Sequence, residues 1–322
     1  MNILKSNLNI DFNKYRVPAA IFSVILLIAS AVSVGMNGLN LGLDFTGGAL
    51  IEVRYEADAN LDTIREQLDK AQFKMFVVQY FGTSKDVTIR LAPDGEIKAE
   101  DKDENKADRV GNRVLTALRE GVDSQITMRR IEFVGPAVGE ELAEKGGLAM
   151  LVALIFIMLY VSVRFEWKFA VGSVAALAHD VLITMGLFSV IQMEFNLTVL
   201  AAILAVIGYS LNDTIVVFDR IRENFLKLRK SDSEKIVNTS LNQTLSRTLM
   251  TSITTLIVLM ALFFLGGELI HGFATALIVG VFIGTYSSIY VASNVALMLG
   301  ITKEDLMPIE VEKEGADQDA LM

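Results

Sequence analysis

The sequence predicts a polytopic α-helical membrane protein of six transmembrane helices, with a ferredoxin-like α+β domain inserted after the first. Three observations lead to that class. Hydrophobic residues make up 52% of the 322 positions and gather in six long blocks, and the mean hydropathy is +0.46, more apolar than an ordinary soluble domain. Between the first and second blocks, residues 36–145 are polar and alternate between strand-like and helix-like periods. Lys and Arg fall unevenly among the short loops, and that bias sets an orientation.

Composition also excludes several functions. The chain has no Cys, so there is no disulfide framework, thiolate metal site or cysteine nucleophile. Two His residues, His179 and His271, are too few for a histidine-rich metal centre. The formal net charge of −9 argues against a nucleic-acid partner. No Ser-His-Asp set or nucleotide-binding loop is present, so no enzymatic activity and no cofactor are expected.

Residues 1–17 form a polar, basic lead with Lys5, Lys14 and Arg16, expected in the cytoplasm. The first apolar run covers 18–35. Ala29-Ser-Ala31 resembles a processing site, so a cleaved leader competes with a helix. The long lead and the near-spanning length favour an uncleaved helix.

Within 36–145, residues 50–55 alternate like a strand. Residues 60–71 read as a helix with Asn60 or Asp62 as N-cap. Residues 75–81 and 86–91 read as strands. Residues 104–120 read as a second helix with Val110, Val114, Leu115 and Leu118 on one face, and 125–134 as the last strand. The order β-α-β-β-α-β is the split βαβ arrangement. The charged stretch 93–108 reads as a mobile loop.

Helices 2–6 occupy 146–300, with apolar runs at 147–163, 169–191, 197–218, 248–265 and 273–299, each near or above spanning length. Arg164 and Lys168 mark one connection. Arg220, Arg222, Lys227, Arg229, Lys230, Lys235 and Arg247 mark another, whereas the loops near 192–195 and 266–271 carry no Lys or Arg. Both termini are therefore expected in the cytoplasm, and 36–145 on the other side. Asp219, Arg220 and Arg222 read as interfacial anchors. Segment 231–246, with Ile236, Leu241 and Leu245 among polar residues and Ser231 or Ser233 as cap, reads as an amphipathic helix lying on the membrane. The acidic tail 301–322 is expected to be disordered and cytoplasmic.

Chemistry concentrates on the fourth run. Asn212, Asp213 and Thr214 interrupt it, and a carboxylate at that depth costs about 2.5–3.5 kcal/mol even on a lenient insertion scale. Arg247 enters the next helix from the same side and reaches a similar depth. A carboxylate with an arginine partner and access to water from either side is suited to carry a proton. A static ion pair between two helices is the competing reading. Thr251, Thr254 and Thr255 follow Arg247 along one side of its helix, either as a wet path or as packing glue. His179 and Asp180 lie mid-span in the third run and rank second. They extend the relay, or Asp180 bonds a neighbouring helix while His179 stays neutral. Gly272, Ala276, Gly280, Gly284, Ser288 and Ala292 form a stripe that lets helices approach closely.

Two glycine motifs flank the polar domain: Leu41-Gly-Leu-Asp-Phe-Thr-Gly-Gly48, with Gly42, Asp44, Gly47 and Gly48, and Gly135-Pro-Ala-Val-Gly139, with Gly135, Pro136 and Gly139. Neither has the Gly-Lys-Ser/Thr ending of a phosphate loop. They read as tight turns that hinge a moving domain on two helices, with Asp44 placed to bond backbone amides in its own turn.

Together with Ala-His-Asp (178–180), Gly-Tyr-Ser-Leu-Asn-Asp-Thr-Ile-Val-Val-Phe-Asp-Arg (208–220) and Ser-Arg-Thr (246–248), these motifs resemble the SecF group of the SecD/SecF family, bacterial protein translocase subunits of the resistance-nodulation-division (RND) superfamily. The resemblance spans residues 15 to about 300 in order and spacing. It implies an RND-like six-helix arrangement in the inner membrane with 36–145 in the periplasm. It also implies a heterodimer with SecD, neighbours in the SecYEG channel and YajC, and use of the proton-motive force to draw unfolded polypeptides outward. Within the family, the Asp and Arg at positions matching Asp213 and Arg247 are implicated in proton passage. The coupling ion is expected to be H+, with Na+ an open alternative. SecD's much larger periplasmic region does not fit within 36–145. A small-molecule or lipid exporter of the same superfamily is the rival from another class, and a scaffold that only stabilises the channel is the third.

Overall fold

The structure, a computed structural model, describes residues 10–92, 106–120, 125–228, 231–302 and 305. The start of the basic lead with Lys5, most of the charged stretch 93–108, Arg229 and Lys230, and nearly all of the acidic tail lie outside the described residues.

The element order is α1 (Arg16–Asn37), α2 (Leu43–Thr46), β1 (Gly48–Tyr55), α3 (Leu61–Lys70), β2 (Phe76–Phe81), β3 (Thr83–Leu91), α4 (Lys106–Arg119) and β4 (Ile126–Val134). There follow α5 (Pro136–Arg164), α6 (Trp167–Ile191), α7 (Leu197–Lys227), α8 (Ser233–Leu265), α9 (Glu268–Ser287) and α10 (Ser293–Met298), the last two joined by a π-helical turn, Ser288–Ala292. Six stretches among the described residues are helices long and apolar enough to cross a membrane.

The inserted domain is the ferredoxin-like sheet that the periodicities predict. Its strands run β2-β3-β1-β4, with each neighbouring pair antiparallel. Ala49, Ile51, Val53 and Tyr55 of β1 point to one face, as the two-residue period requires, and meet Ile64 and Leu68 of α3 and Val114 and Leu118 of α4 in a buried core. Asn60 caps α3, its side chain accepting from the amides of Asp62 and Thr63. That satisfies two donors the helix start would otherwise leave open.

The opposite sheet face is laced with charge. Arg54 forks onto Asp86, Nε to Oδ1 at 2.7 Å and Nη2 to Oδ2 at 2.6 Å, and Thr83 Oγ1 adds a bond of 2.6 Å to Oδ2. The Arg54 bonds first, then the Thr83 bond, hold the Asp86 carboxyl down at about 2, from an ordinary 3.8. A depressed carboxyl contributes stability above its unfolded value and loses it as pH falls through the folded value. Asp86 should thus contribute on the order of 1–2 kcal/mol, lost from about pH 4 to about pH 2. Thermal unfolding of Asp86→Asn should start lower at neutral pH and fall less across that window than the parent chain.

Several boundaries differ from the sequence expectation. Helix α5 begins at Pro136, directly after β4, so 135–139 is the first turn of a long helix and not a separate loop. Pro suits that N1 position because its missing N–H is one the helix start does not use. The segment 231–246 is not a separate helix on the membrane surface. It is the front of the continuous 33-residue helix α8. There Ile236, Val237, Leu241 and Leu245 share a buried cluster with Phe12, Phe218, Ile221 and Phe225. Helix α7 likewise runs on to Lys227, beyond the apolar block.

The small-residue stripe packs as expected. A Cβ on Gly280 would collide with the Val206 side chain, and one on Gly272 would meet Val199 Cγ2 at 3.0 Å. Helix α9 therefore sits close against α7, where only glycine leaves room.

Candidate functional site in the helix bundle

Helix α7 turns Ser210, Asp213, Thr214 and Val217 inward. Asp213 is 2% exposed and Thr214 is 1%. Among the described residues, Asp213 Oδ2, Thr214 Oγ1 and Thr248 Oγ1 are buried without a hydrogen-bond partner. Arg247 and Ser252 of α8 stand within electrostatic or hydrogen-bonding reach of Asp213. Arg247 itself is exposed on the bundle surface, and it does not clamp Oδ2, which takes no bond. A buried carboxylate with one unpaired oxygen is costly, and protonation of that oxygen removes much of the cost. The geometry suits a group that changes charge better than a static ion pair.

Thr251, Thr254 and Thr255 donate to carbonyls one turn back on their own helix, at 2.8–3.2 Å for the closest acceptors of Arg247, Thr248, Met250 and Thr251. Their hydroxyls are satisfied locally. The polar path leads inward instead: Ser252 Oγ meets Thr285 Oγ1 of α9 at 2.7 Å. Asn212 lies on the outer face of α7, exposed.

Asp180 sits one layer away, 0% exposed. It accepts from Ser210 at 2.6 Å and from Ser287 at 2.8 Å, and meets His179 Nδ1 at 2.9 Å. The His179 ring stacks on Tyr286 with centroids 6.2 Å apart, and Tyr286 Oη donates to Ala19 O of α1 at 2.7 Å. Asp180 thus bonds neighbouring helices, while His179 Nε2 has no partner. Ser210 lies three residues before Asp213, on the same face of α7, so the two carboxylates share one helix wall. Ser210, Ser252, Tyr286 and Ser287 did not stand out in the sequence. The i, i+3 spacing of Ser210 to Asp213 is the one local signal that could have found any of them.

The glycine motifs have separate reasons. Gly47 and Gly48 have φ of +69° and +118°, a region that favours glycine. Gly42 and Gly139 answer to space. A Cβ on Gly42 would lie 2.8 Å from Glu194 Oε1, and one on Gly139 would lie 2.9 Å from Gly47 N. Gly135 has neither constraint, with φ of −64° and its nearest neighbour at 4.0 Å. Asp44 does not bond its own turn. Its Oδ2 reaches across to accept from Leu197 N, at the start of α7, at 2.8 Å.

The family model for "Protein export membrane protein SecD/SecF, C-terminal" matches residues 114–302, and the SecD/SecF GG motif matches 32–59. The chain belongs to the SecD/SecF family. Protein translocase subunit SecF of Vibrio alginolyticus is 54% identical over 99% of this chain and 99% of its own length. SecF of Escherichia coli O157:H7 is 47% identical over 97% and 94%. Among solved structures, the crystal structure of SecDF from Thermus thermophilus, described as a translocon-associated membrane protein, superposes with a TM-score of 0.81 at 37% identity. A SecDF structure in a super-membrane-facing form gives 0.64 at 38%. This chain covers 39% of either SecDF chain, with 92% and 91% of its own length matched. SecF relatives are named as translocase subunits, which is a transport role and not a catalytic one.

Proposed function

We propose that this SecF-family chain pairs with SecD in a bacterial inner membrane and uses the proton-motive force, through Asp213, to drive late translocation of unfolded polypeptides. The observation that carries the reading is Asp213 itself: a carboxylate 2% exposed, with an unpaired oxygen, inside a helix apolar enough to span. Arg247 lies within electrostatic reach of it, without an ion pair between the two among the described residues. The Lys/Arg bias of the loops supports termini in the cytoplasm and the sheet domain in the periplasm. SecYEG and YajC enter as neighbours through the family resemblance.

The need for a partner has its own support. Ala201, Ala205, Gly208 and Asn212 form an exposed stripe along α7, and Arg247 is exposed on α8 beside it. Small residues and an amide favour a helix partner over lipid tails. A SecD helix laid on this face would bury Asn212 and bring protein groups to the outer side of the Asp213 region.

The test uses membrane vesicles holding the complete translocase, with proton and sodium gradients imposed separately. Late-stage export should fall when the proton gradient is collapsed and hold when only sodium is equalised. The reverse pattern would make sodium the coupling ion, and export indifferent to both would leave the chain a scaffold.

A further inference from the structure

The segment after α1 and the loop between α6 and α7 are bound to each other along their backbones. Phe195 N donates to Asn40 O and Gly42 N donates to Phe195 O, both at 2.8 Å. Asn40 Nδ2 donates to Gln192 O at 2.9 Å, and Leu41 and Phe195 form a parallel bridge. The sheet domain reaches the same place through Arg90 of β3. Its Nη1 donates to Leu41 O at 3.0 Å, and its Nη2 pairs with Glu194 Oε2 at 2.6 Å. The side chains of that pair are only 16% and 29% exposed, so solvent weakens it less than an open surface pair.

Helix α7 starts with two caps. Asn196 accepts from Val199 N at 3.0 Å, the usual local device. Asp44 supplies the second, taking Leu197 N from a distant part of the chain. Its negative charge also suits the positive end of the helix dipole. Asp44 is followed within a few residues by Gly47 and Gly48, and Gly48 opens β1. Strand β1 lies between β3 and β4 in the sheet, so a pull on its start is felt across the domain.

We infer that Asp44, Arg90 and Glu194 form the joint through which movement of α7 reaches the sheet domain, with Asp44 as the positioning residue that holds the start of α7 to the 41–48 turn. The inference rests on the reading of Asp213 as the group on which the gradient acts. A helix moves as a rigid piece, so repacking around Asp213 shifts its far end. There the carboxylate of Asp44 and the Arg90–Glu194 pair take up the shift at two points, one leading into β1 and one on β3.

The chain has no Cys, so introduced thiols are unambiguous. Arg90→Cys with Glu194→Cys removes one link of the joint and should lower gradient-driven export about tenfold in vesicles holding the complete translocase. A reducible bismaleimide bridge between the two thiols should recover most of it, and reductant should take that gain away. Export that neither the double substitution nor the bridge changes would mean that movement does not pass through this link, and the pair would be only a staple.

A second measurement needs no gradient and so stands apart from the reading of Asp213. With spin labels at Glu56→Cys, just past the end of β1, and Leu269→Cys at the start of α9, the parent chain should show one distance. Asp44→Asn should keep it, because the amide oxygen still accepts from Leu197 N, while Asp44→Ala should broaden it. A single unchanged distance in Asp44→Ala would overturn the role of Asp44, even if Asp213 proves essential.

Discussion

Replacing Asp213 with Asn is expected to abolish the response of export to the proton gradient while leaving the chain folded and gradient-independent export intact. The amide has nearly the shape of the acid and fits a site 2% exposed, but it cannot gain or lose a charge. A proton crossing 100 mV releases about 2.3 kcal/mol, a bias of roughly fiftyfold between two states. The variant should forfeit all of it. Vesicles carrying a half-translocated substrate, assayed with and without the gradient, measure the effect directly. A full gradient response from the variant would remove Asp213 from the mechanism. Asp180 makes a useful contrast, since its carboxylate already holds two hydroxyls and a histidine nitrogen. It has the surroundings of a fixed anchor, whereas Asp213 keeps an oxygen free.

The second large effect is expected at Gly208. A Cβ there meets nothing within 4 Å, so Gly208→Leu should leave the isolated chain folded and as stable as its parent. If SecD covers the stripe of Ala201, Ala205, Gly208 and Asn212, the leucine instead wedges the two apart. Overpacking of this kind costs about 1–3 kcal/mol, enough to weaken the pairing with SecD by roughly fivefold to a hundredfold and to lower its co-purification. Undiminished recovery of the pair would place the SecD contact on another face.

The parts of this fold legible in the sequence are those governed by period and burial. Apolar blocks marked the six spans, and alternation marked β1. A charge inside an apolar run marked Asp213, because hydrocarbon gives an acidic group no local reason to be there. Contacts distant in sequence were harder to read. Asp44 reaches Leu197 across 153 positions, and no local spacing announces such a bond. The Gly135-Pro136 pair looked like turn punctuation, although Pro at N1 is equally a helix-start signal. Residues 231–246 looked interfacial because apolar side chains are set among polar ones there. Their apolar side is covered by α7 and by the chain entering α1, and hydropathy does not report that cover.

Helix α8 has 33 residues, about 50 Å of rod against a hydrocarbon layer of about 30 Å. Its leading portion therefore projects well beyond the bilayer. There Asn238 accepts from Phe12 N and Asn242 accepts from Ile10 N, both at 2.8 Å. The rod that carries Arg247 is thereby a lever whose outer arm is pinned to the segment leading into the first span. A tilt of about 5° at the charged residues would sweep the end of that arm, about 20 Å away, by roughly 2 Å, dragging the entry of α1 with it.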